Sequence, residues 1–290
     1  MALSTTPVDI NRGTTGLSLT PDMAEEVFAN AVQESAIMQL ARNITLPGRG
    51  LSIPVLTGDP VADFVTETAE KPVSNSTFGT KVMTPYKVAV IETFSNEFRR
   101  DFARLYDELV RRLPYALGKK IDATVFTGTA PGTGFDVLTG AQVVAESDSK
   151  YADLVSAMGK VTAGGNDLTG WALSPQYISL LLGATGADER PLFVNPVEGG
   201  LSQILGAPII KAPQAYIVSG GTTTYGYAGD WSKAVFGHVT DIDIAISDQA
   251  TLNDGTNTIN LWQRNMFAVR AEFEVGFVVA DLTAFAKLTD

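Results

Sequence analysis

The chain has 290 residues, 45% of them hydrophobic, no cysteine and a formal net charge of −11. Disulfides, thiolate zinc sites and cysteine nucleophiles are therefore excluded, and the acidic balance argues against a dedicated nucleic-acid binder. The sequence contains neither a run of about 18 apolar residues nor a signal-peptide pattern, so we expect no membrane span and a cytoplasmic site of synthesis. The length allows one large or two medium domains.

The N-terminal region predicts an extended arm followed by a short helix. Residues 1–20 are polar and rich in Gly and Thr, with little periodicity. Thr20 is a suitable N-cap and Pro21 a suitable first helical residue for the apolar stretch that ends near Ala41.

Residues 46–95 predict one long β-hairpin with a polar tip. Alternating apolar residues mark the outgoing flank (Leu51, Ile53, Val55) and the returning flank (Tyr86, Val88, Val90). The sequence between the flanks is polar and broken by proline and glycine. Because an isolated two-stranded ribbon is marginally stable in water, such a hairpin is expected to contact a neighbouring molecule.

Residues 96–127 predict a long amphipathic helix, because apolar residues recur at steps of three and four. The helix carries a third of the chain's 21 basic residues. Two interpretations stay open: a solvated face with i,i+4 ion pairs, or a weakly basic surface turned toward polyphosphate.

The remainder predicts a mixed α/β arrangement. Helices are expected at 151–163 and 175–182, a buried strand at 171–173, and a long, functionally used loop at 183–200. Further strands follow, and the alternation from Thr258 to Val279 predicts a single long strand.

No constellation for catalysis is evident in the sequence. The single histidine, His238, follows a strand-like run and is interpreted as a packed residue. Asp241, Asp243 and Asp248 are close in sequence and suit either a hard cation or, as we prefer, a solvated strand edge. Nucleophile-elbow, zincin and dinucleotide-binding motifs are absent.

Three phrases, in this order, resemble the HK97-type major capsid proteins of tailed bacteriophages. They are ADFVTETAEKPVSNSTFGTKVMTPYKVAVIETFSNEFRRD, GDWSKAVFG and LWQRNMFAVRAEFEVGFVVADLTAFAKL. The first is similar to the family's extension loop running into its spine helix, the second to a Gly-Asp-aromatic strand, and the third to the C-terminal strands.

The resemblance implies an α+β chain with an HK97-like capsid fold. Its parts would be an N-terminal arm (1–47), an extension-loop hairpin (48–94), a peripheral domain with the spine helix (95–136 and 240–290) and an axial α/β domain (137–239). The implied function is a major capsid protein, not an enzyme, that assembles through pentamers and hexamers into an icosahedral shell around phage double-stranded DNA.

The resemblance also implies partners and a location. Expected partners are further copies of the chain, a separate scaffolding protein, a portal, a decoration protein and non-specifically packaged double-stranded DNA. No cofactor, metal or membrane partner is expected. The subunit would belong to the virion capsid and assemble in the host bacterial cytoplasm.

Candidate site residues fall into three sets. Charge clustering on the predicted helix suggests a DNA-facing inner surface made by Arg100, Arg104 and Arg111. The resemblance assigns intersubunit contacts of the extension loop to Asp63, Phe64, Glu67, Lys71, Phe78 and Lys81. It places Asp188, Glu189 and Arg190 in a loop at the capsomer axis.

Covalent crosslinking, known in some relatives, would join a hairpin lysine, Lys71 or Lys81, to Asn260 or Asn265. Nothing in the sequence around these residues identifies such a bond, so ion pairs or solvated lysines are expected instead.

Two other functions are weighed against the phage capsid. An encapsulin-like nanocompartment shell resembles the same fold but encloses enzyme cargo. An enzyme with a site assembled from scattered residues would be active as a small oligomer and contain a pocket with perturbed acids, whereas a shell protein forms megadalton particles.

Overall fold

A computed structural model describes residues 35–290 except for 59, 67–69, 72, 97–101, 187–191, 194–200, 254 and 256. Side chains 56–58, 102–111, 113 and 114 also lie outside the described set. In the part of the chain that is described, no helix has the length and apolar character needed to cross a membrane.

The described elements are four helices and sixteen strands in a mixed order. The helices are α1 (Ala36–Leu40), α2 (Phe102–Thr127), α3 (Lys150–Thr162) and α4 (Pro175–Leu182). The strands are β1 (Arg42–Thr45), β2 (Leu51–Gly58), β3 (Thr77–Met83), β4 (Tyr86–Ser95), β5 (Gln142–Ala145), β6 (Gly170–Leu173), β7 (Gln203–Ile204), β8 (Ala207–Lys211), β9 (Ile217–Ser219), β10 (Thr222–Gly229), β11 (Ala234–His238), β12 (Asp243–Ser247), β13 (Thr251–Asn253), β14 (Thr258–Asn260), β15 (Met266–Val279) and β16 (Phe285–Thr289).

A five-stranded sheet is built around β15, which has 14 residues. Its strand order is β1-β11-β15-β12, and β4 also pairs with β15, antiparallel, from Met266 opposite Ser95 to Val275 opposite Tyr86. Alternate residues of β15 are buried because side chains point to opposite faces every second residue. These core-facing residues are Phe267, Val269, Ala271, Phe273 and Val275.

Helix α2 packs its apolar stripe into the same core as this sheet. The buried residues of its C-terminal half lie at helical spacing: Leu117, Ile121, Val125 and Phe126. Phe126 stacks on Tyr227 of β10 with 5.2 Å between ring centroids, so α2 also contacts the sheet that contains β10.

A seven-stranded mixed sheet has the order β5-β16-β10-β6-β8-β7, with β9 also pairing with β10. Strand β6 is buried on both faces: Trp171 and Leu173 belong to the core shared with α3 and α4, and Ala172 to the core shared with α2. Burial on two faces explains why this strand is a continuous apolar run rather than an alternating one.

Several predicted elements are confirmed. The predicted helices at 151–163 and 175–182 correspond to α3 and α4, and the latter begins at the expected Ser174 cap, whose hydroxyl accepts a hydrogen bond from the backbone N–H of Tyr177. The long helix is described from Phe102. Of the predicted N-terminal helix, only α1 lies within the described residues.

Two details of the predicted strands are wrong. The outgoing strand of the hairpin pairs with β3 instead of the segment from Tyr86, which joins β15 because Val88 and Val90 pack on the apolar core of that sheet. The predicted strand from Thr258 to Val279 is divided by a turn into β14 and β15. Asn265 adopts a positive φ of 53° there, which ends the extended conformation.

Sheet membership does not follow the predicted domain boundaries. Strand β11 comes from the range predicted as axial but lies in the five-stranded sheet, and β16 comes from the range predicted as peripheral but lies between β5 and β10. Strand β1, from the predicted arm, pairs with β11. Division of the chain into these domains therefore stays a prediction.

Candidate assembly surface

Strands β2 and β3 form a two-stranded antiparallel ribbon, here called the ribbon. The register runs from Leu51 opposite Met83 to Gly58 opposite Thr77. Within the described residues, the two strands make up a sheet of their own. A ribbon of this kind has no second layer to cover its faces, so it gains stability from whatever packs against it.

The ribbon and the loop at its tip expose large apolar side chains. Phe78 is 73% exposed and Phe64 is fully exposed, and further apolar residues exposed on this projection are Val61, Val73 and Val82. An apolar set of this size on a projecting ribbon is typical of a contact that another molecule covers.

The base of the ribbon is attached to the five-stranded sheet by packing. Met83 is fully buried and lies in a small apolar cluster with Leu46, Val235 and Val278. Gly276 and Gly237 face each other in register beneath this cluster. A Cβ atom on Gly276 would lie only 2.8 Å from Met83 Cγ, so the glycine pair leaves room for the close approach.

A polar network joins the same base to the segment after α2. The Lys81 ammonium donates to Asp136 Oδ2 at 2.8 Å and to the Val279 carbonyl at 2.5 Å. Asp136 Oδ2 also accepts a bond from the Val279 N–H at 3.0 Å. Lys81, predicted as an intersubunit contact, is therefore engaged within its own chain.

The other predicted extension-loop residues are divided between exposed positions and undescribed ones. Lys71, Phe64 and Phe78 are exposed, and the Asp63 carboxylate accepts a 2.8 Å bond from the Phe64 N–H. Glu67 lies outside the described residues. Exposure is compatible with intermolecular contact, and the assignment stays a prediction.

Two of the three predicted DNA-facing residues, Arg104 and Arg111, lie in the N-terminal half of α2. Arg104 and Arg111 belong to this helix, but their side chains, like the whole of Arg100, lie outside the described set. Three further basic residues on the same helix were not singled out from the sequence and are exposed: Arg112, Lys119 and Lys120. Their spacing of seven and eight residues places them on one helical face, a signal the sequence contained.

A buried carboxylate ties the first described residues to α2. Asp122 accepts hydrogen bonds from the Ser35 hydroxyl at 2.7 Å, the Ala36 N–H at 2.8 Å and the Ile37 N–H at 3.3 Å. Burial raises the pKa of Asp122 to about 6, and the three hydrogen bonds oppose that shift. The start of α1 is thus held by a helix 87 residues away in sequence.

The predicted capsomer-axis residues Asp188, Glu189 and Arg190 lie outside the described residues. The two described residues that follow them, Leu192 and Phe193, contact the segment after α4 and helix α3. The Leu192 N–H donates to the Ala184 carbonyl at 3.0 Å, and the Phe193 ring lies 6.3 Å from that of Tyr151 on α3.

Two titratable groups away from the ribbon, His238 and Glu146, have contacts within the chain. His238 lies 6.4 Å from the Phe273 ring, and burial lowers its pKa while Asp241 opposes the shift. The buried Glu146 pairs with Lys150 at 2.6 Å. In the described part of the chain, no group of three or more His, Asp and Glu side chains is placed to hold a metal ion.

The chain is similar to known proteins in both sequence and fold. The model of the phage capsid family matches residues 15–290. A curated relative, named "Probable major capsid protein gp17" of Mycobacterium phage L5, is 31% identical over 294 residues, which cover 94% of this chain and 89% of that relative.

Solved structures agree with the sequence relatives. A chain of Gordonia phage Cozz superposes with a TM-score of 0.70 at 25% identity, covering 88% of this chain and 86% of that one. A chain of Microbacterium phage Oxtober96 gives a TM-score of 0.72 at 21% identity, covering 99% and 95%.

Proposed function

Because the chain belongs to the phage capsid family, we propose that it assembles through pentamers and hexamers into an icosahedral shell enclosing double-stranded DNA. Its fold is HK97-like, and it is a major capsid protein of a virion. Assembly takes place in the cytoplasm of the host bacterium. A separate scaffolding protein and a portal are further proposed partners, and a decoration protein is an optional one.

The ribbon is the intersubunit clamp of this assembly. One observation supports this more than any other: the ribbon has no second layer among the described residues, and it and the loop at its tip expose Phe78, Phe64 and further apolar side chains. Covering such side chains removes apolar area from water, the main source of association energy. In a closed shell the covering partner is another copy of the same chain. Asp63, Glu67 and Lys71 would lie at the polar rim of the contact.

The basic face of α2 is turned toward the packaged DNA. Arg100, Arg104 and Arg111 supply this charge, because their spacing of four and seven residues places them on one face of a helix. Phosphate contacts of this kind are independent of base sequence and weaken as salt rises. The loop with Asp188, Glu189 and Arg190 would meet its copies at the capsomer axis.

Neutralising the three arginines tests the DNA-facing surface. The variant Arg100→Gln, Arg104→Gln, Arg111→Gln is expected to form shells that hold less DNA, because each lost charge removes a counterion-releasing contact. The readout is nucleic acid per purified particle, from the absorbance ratio and dye binding. Normal DNA content in normal shells would reject the proposal.

Electron microscopy of the purified protein tests the function as a whole. Icosahedral particles with DNA, or empty shells with a portal vertex, are expected. Small shells filled with protein would instead indicate an encapsulin-like compartment, which the naming of the curated relatives does not favour. Catalytically active small oligomers, under conditions that permit assembly, would overturn the proposal.

A further inference from the structure

The direction in which the ribbon leaves the body depends on very few contacts at its base. On the β3 side, Met83 and Lys81 are two residues apart and therefore point to the same face of the strand, toward the body. Val82, between them, points away and is exposed. The remaining length of the ribbon pairs only within itself among the described strands.

Met83 acts as a pivot. It is fully buried in the apolar cluster with Leu46 above the Gly237 and Gly276 pair, so it holds the ribbon to the sheet. Ile53 of β2 is partly buried against the same cluster. Apolar packing of this kind is non-directional, so by itself it fixes the angle between the ribbon and the sheet only weakly.

The polar network at the base of the ribbon restrains the angle between the ribbon and the five-stranded sheet. The Lys81 ammonium is bound at once by the Asp136 carboxylate and the Val279 carbonyl, and Asp136 is itself held by the Val279 N–H. The adjoining segment adds two bonds at the ribbon's end: the Thr84 N–H donates to the Gly134 carbonyl, and the Tyr86 hydroxyl to the Thr133 carbonyl.

We propose that Lys81 and Asp136 are positioning residues, a lock that sets the angle between the ribbon and the body so that its apolar side chains meet the neighbouring copy. This role rests on the proposed function of the ribbon as an intersubunit clamp. Two hydrogen bonds from one ammonium to acceptors on different segments define an orientation that the Met83 contact cannot.

The lock is tested by measuring the ribbon's direction. The chain contains no cysteine, so a Ser76→Cys, Ser156→Cys variant carries spin labels at two exposed sites only, one beside β3 and one on α3. Ser76 is seven residues from Met83, a lever of about 23 Å, so a swing of about 20° moves it by about 8 Å. Electron–electron distance measurements on labelled chains diluted with unlabelled chain report this movement.

Lys81→Met keeps the aliphatic stem and removes the ammonium. The expected result is a distance distribution shifted or broadened by several ångströms, with the melting temperature changed by less than about 4 °C because the ion pair is partly exposed. Lys81→Arg is expected to restore the narrow distribution. Lys211→Met, which removes an exposed lysine on β8 of the seven-stranded sheet, is the matched control and should leave it unchanged.

The possible results distinguish the positioning role of Lys81 and Asp136 from the role of the ribbon as an intersubunit clamp. An unchanged distribution in Lys81→Met refutes the lock whatever the assembly state. Normal shells from a chain lacking residues 58–84 refute the clamp but leave the measured direction untouched. A shifted distribution with fewer closed shells, both rescued by Lys81→Arg, supports the two together.

Discussion

Replacing Phe78 by serine should weaken assembly without weakening the subunit. The side chain is 73% exposed, so removing it costs the folded monomer little. If a neighbouring copy covers it, roughly 150 Å² of aromatic surface leaves water on assembly. At about 25 cal/mol per Å², that burial contributes about 3 to 4 kcal/mol per contact.

An energy of this size changes the concentration needed for assembly by at least about 100-fold, since about 1.4 kcal/mol corresponds to a factor of ten. Sedimentation velocity across a concentration series measures the lowest concentration at which megadalton particles form. Thermal unfolding of the free subunit should give matching curves for the parent and Phe78→Ser.

Phe78→Leu serves as the control, because it keeps most of the apolar area and should assemble at a concentration near that of the parent. The reasoning would be refuted if Phe78→Ser assembled at the parent concentration. It would equally fail if the variant lost several degrees of subunit stability, because that would place Phe78 in the monomer core.

Two further predictions concern the folded subunit. Gly226→Ala should destabilise the subunit by about 1 to 3 kcal/mol in thermal unfolding, because the new Cβ would lie 2.6 Å from the Ala172 carbonyl oxygen. The control, Gly159→Ala, has no atom within 4 Å of the new Cβ and should stabilise α3 by up to about 1 kcal/mol. Equal effects of the two substitutions would contradict this reasoning. Burial raises the pKa of Asp122 from its ordinary 3.8 to about 6, so the folded state retains a proton that the unfolded chain releases. The stabilisation that comes from protonated Asp122 is fully present below pH 3.8 and is lost as the pH rises through about 6. The free energy of unfolding should therefore increase by about 1 kcal/mol when the pH is lowered from about 7 to about 5. The variant Asp122→Asn should not show this increase.

Much of the candidate site was accessible from the sequence, because it depends on local patterns. The alternation of Leu51, Ile53 and Val55 predicts the outgoing strand of a hairpin, and the structure confirms that strand but pairs it with β3 instead of the segment from Tyr86. The family resemblance was likewise carried by ordered phrases, and the phage capsid match over residues 15–290 confirms it.

The hydrogen-bond partners of the charged residues could not be predicted from the sequence. Lys81 looked like any hairpin lysine, and only the folded chain brings it to Asp136, 55 residues later, and to the Val279 carbonyl. Asp122 appeared as one acid among many on a helix, yet it is buried against Ser35. Neither contact has a sequence signature, because hydrogen-bond partners distant along the chain follow from sheet register and helix packing.

The sequence by itself determined the period of the main elements, the long helix with one apolar stripe, the outgoing strand of the ribbon and the family. These properties follow from side-chain spacing of two or 3.6 residues, which is a local quantity. Only the tertiary structure decided that β11 joins the sheet around β15 and that β16 lies between β5 and β10. Many apolar strands of similar pattern could pair with one another, and the packing of the whole core decides which of them do.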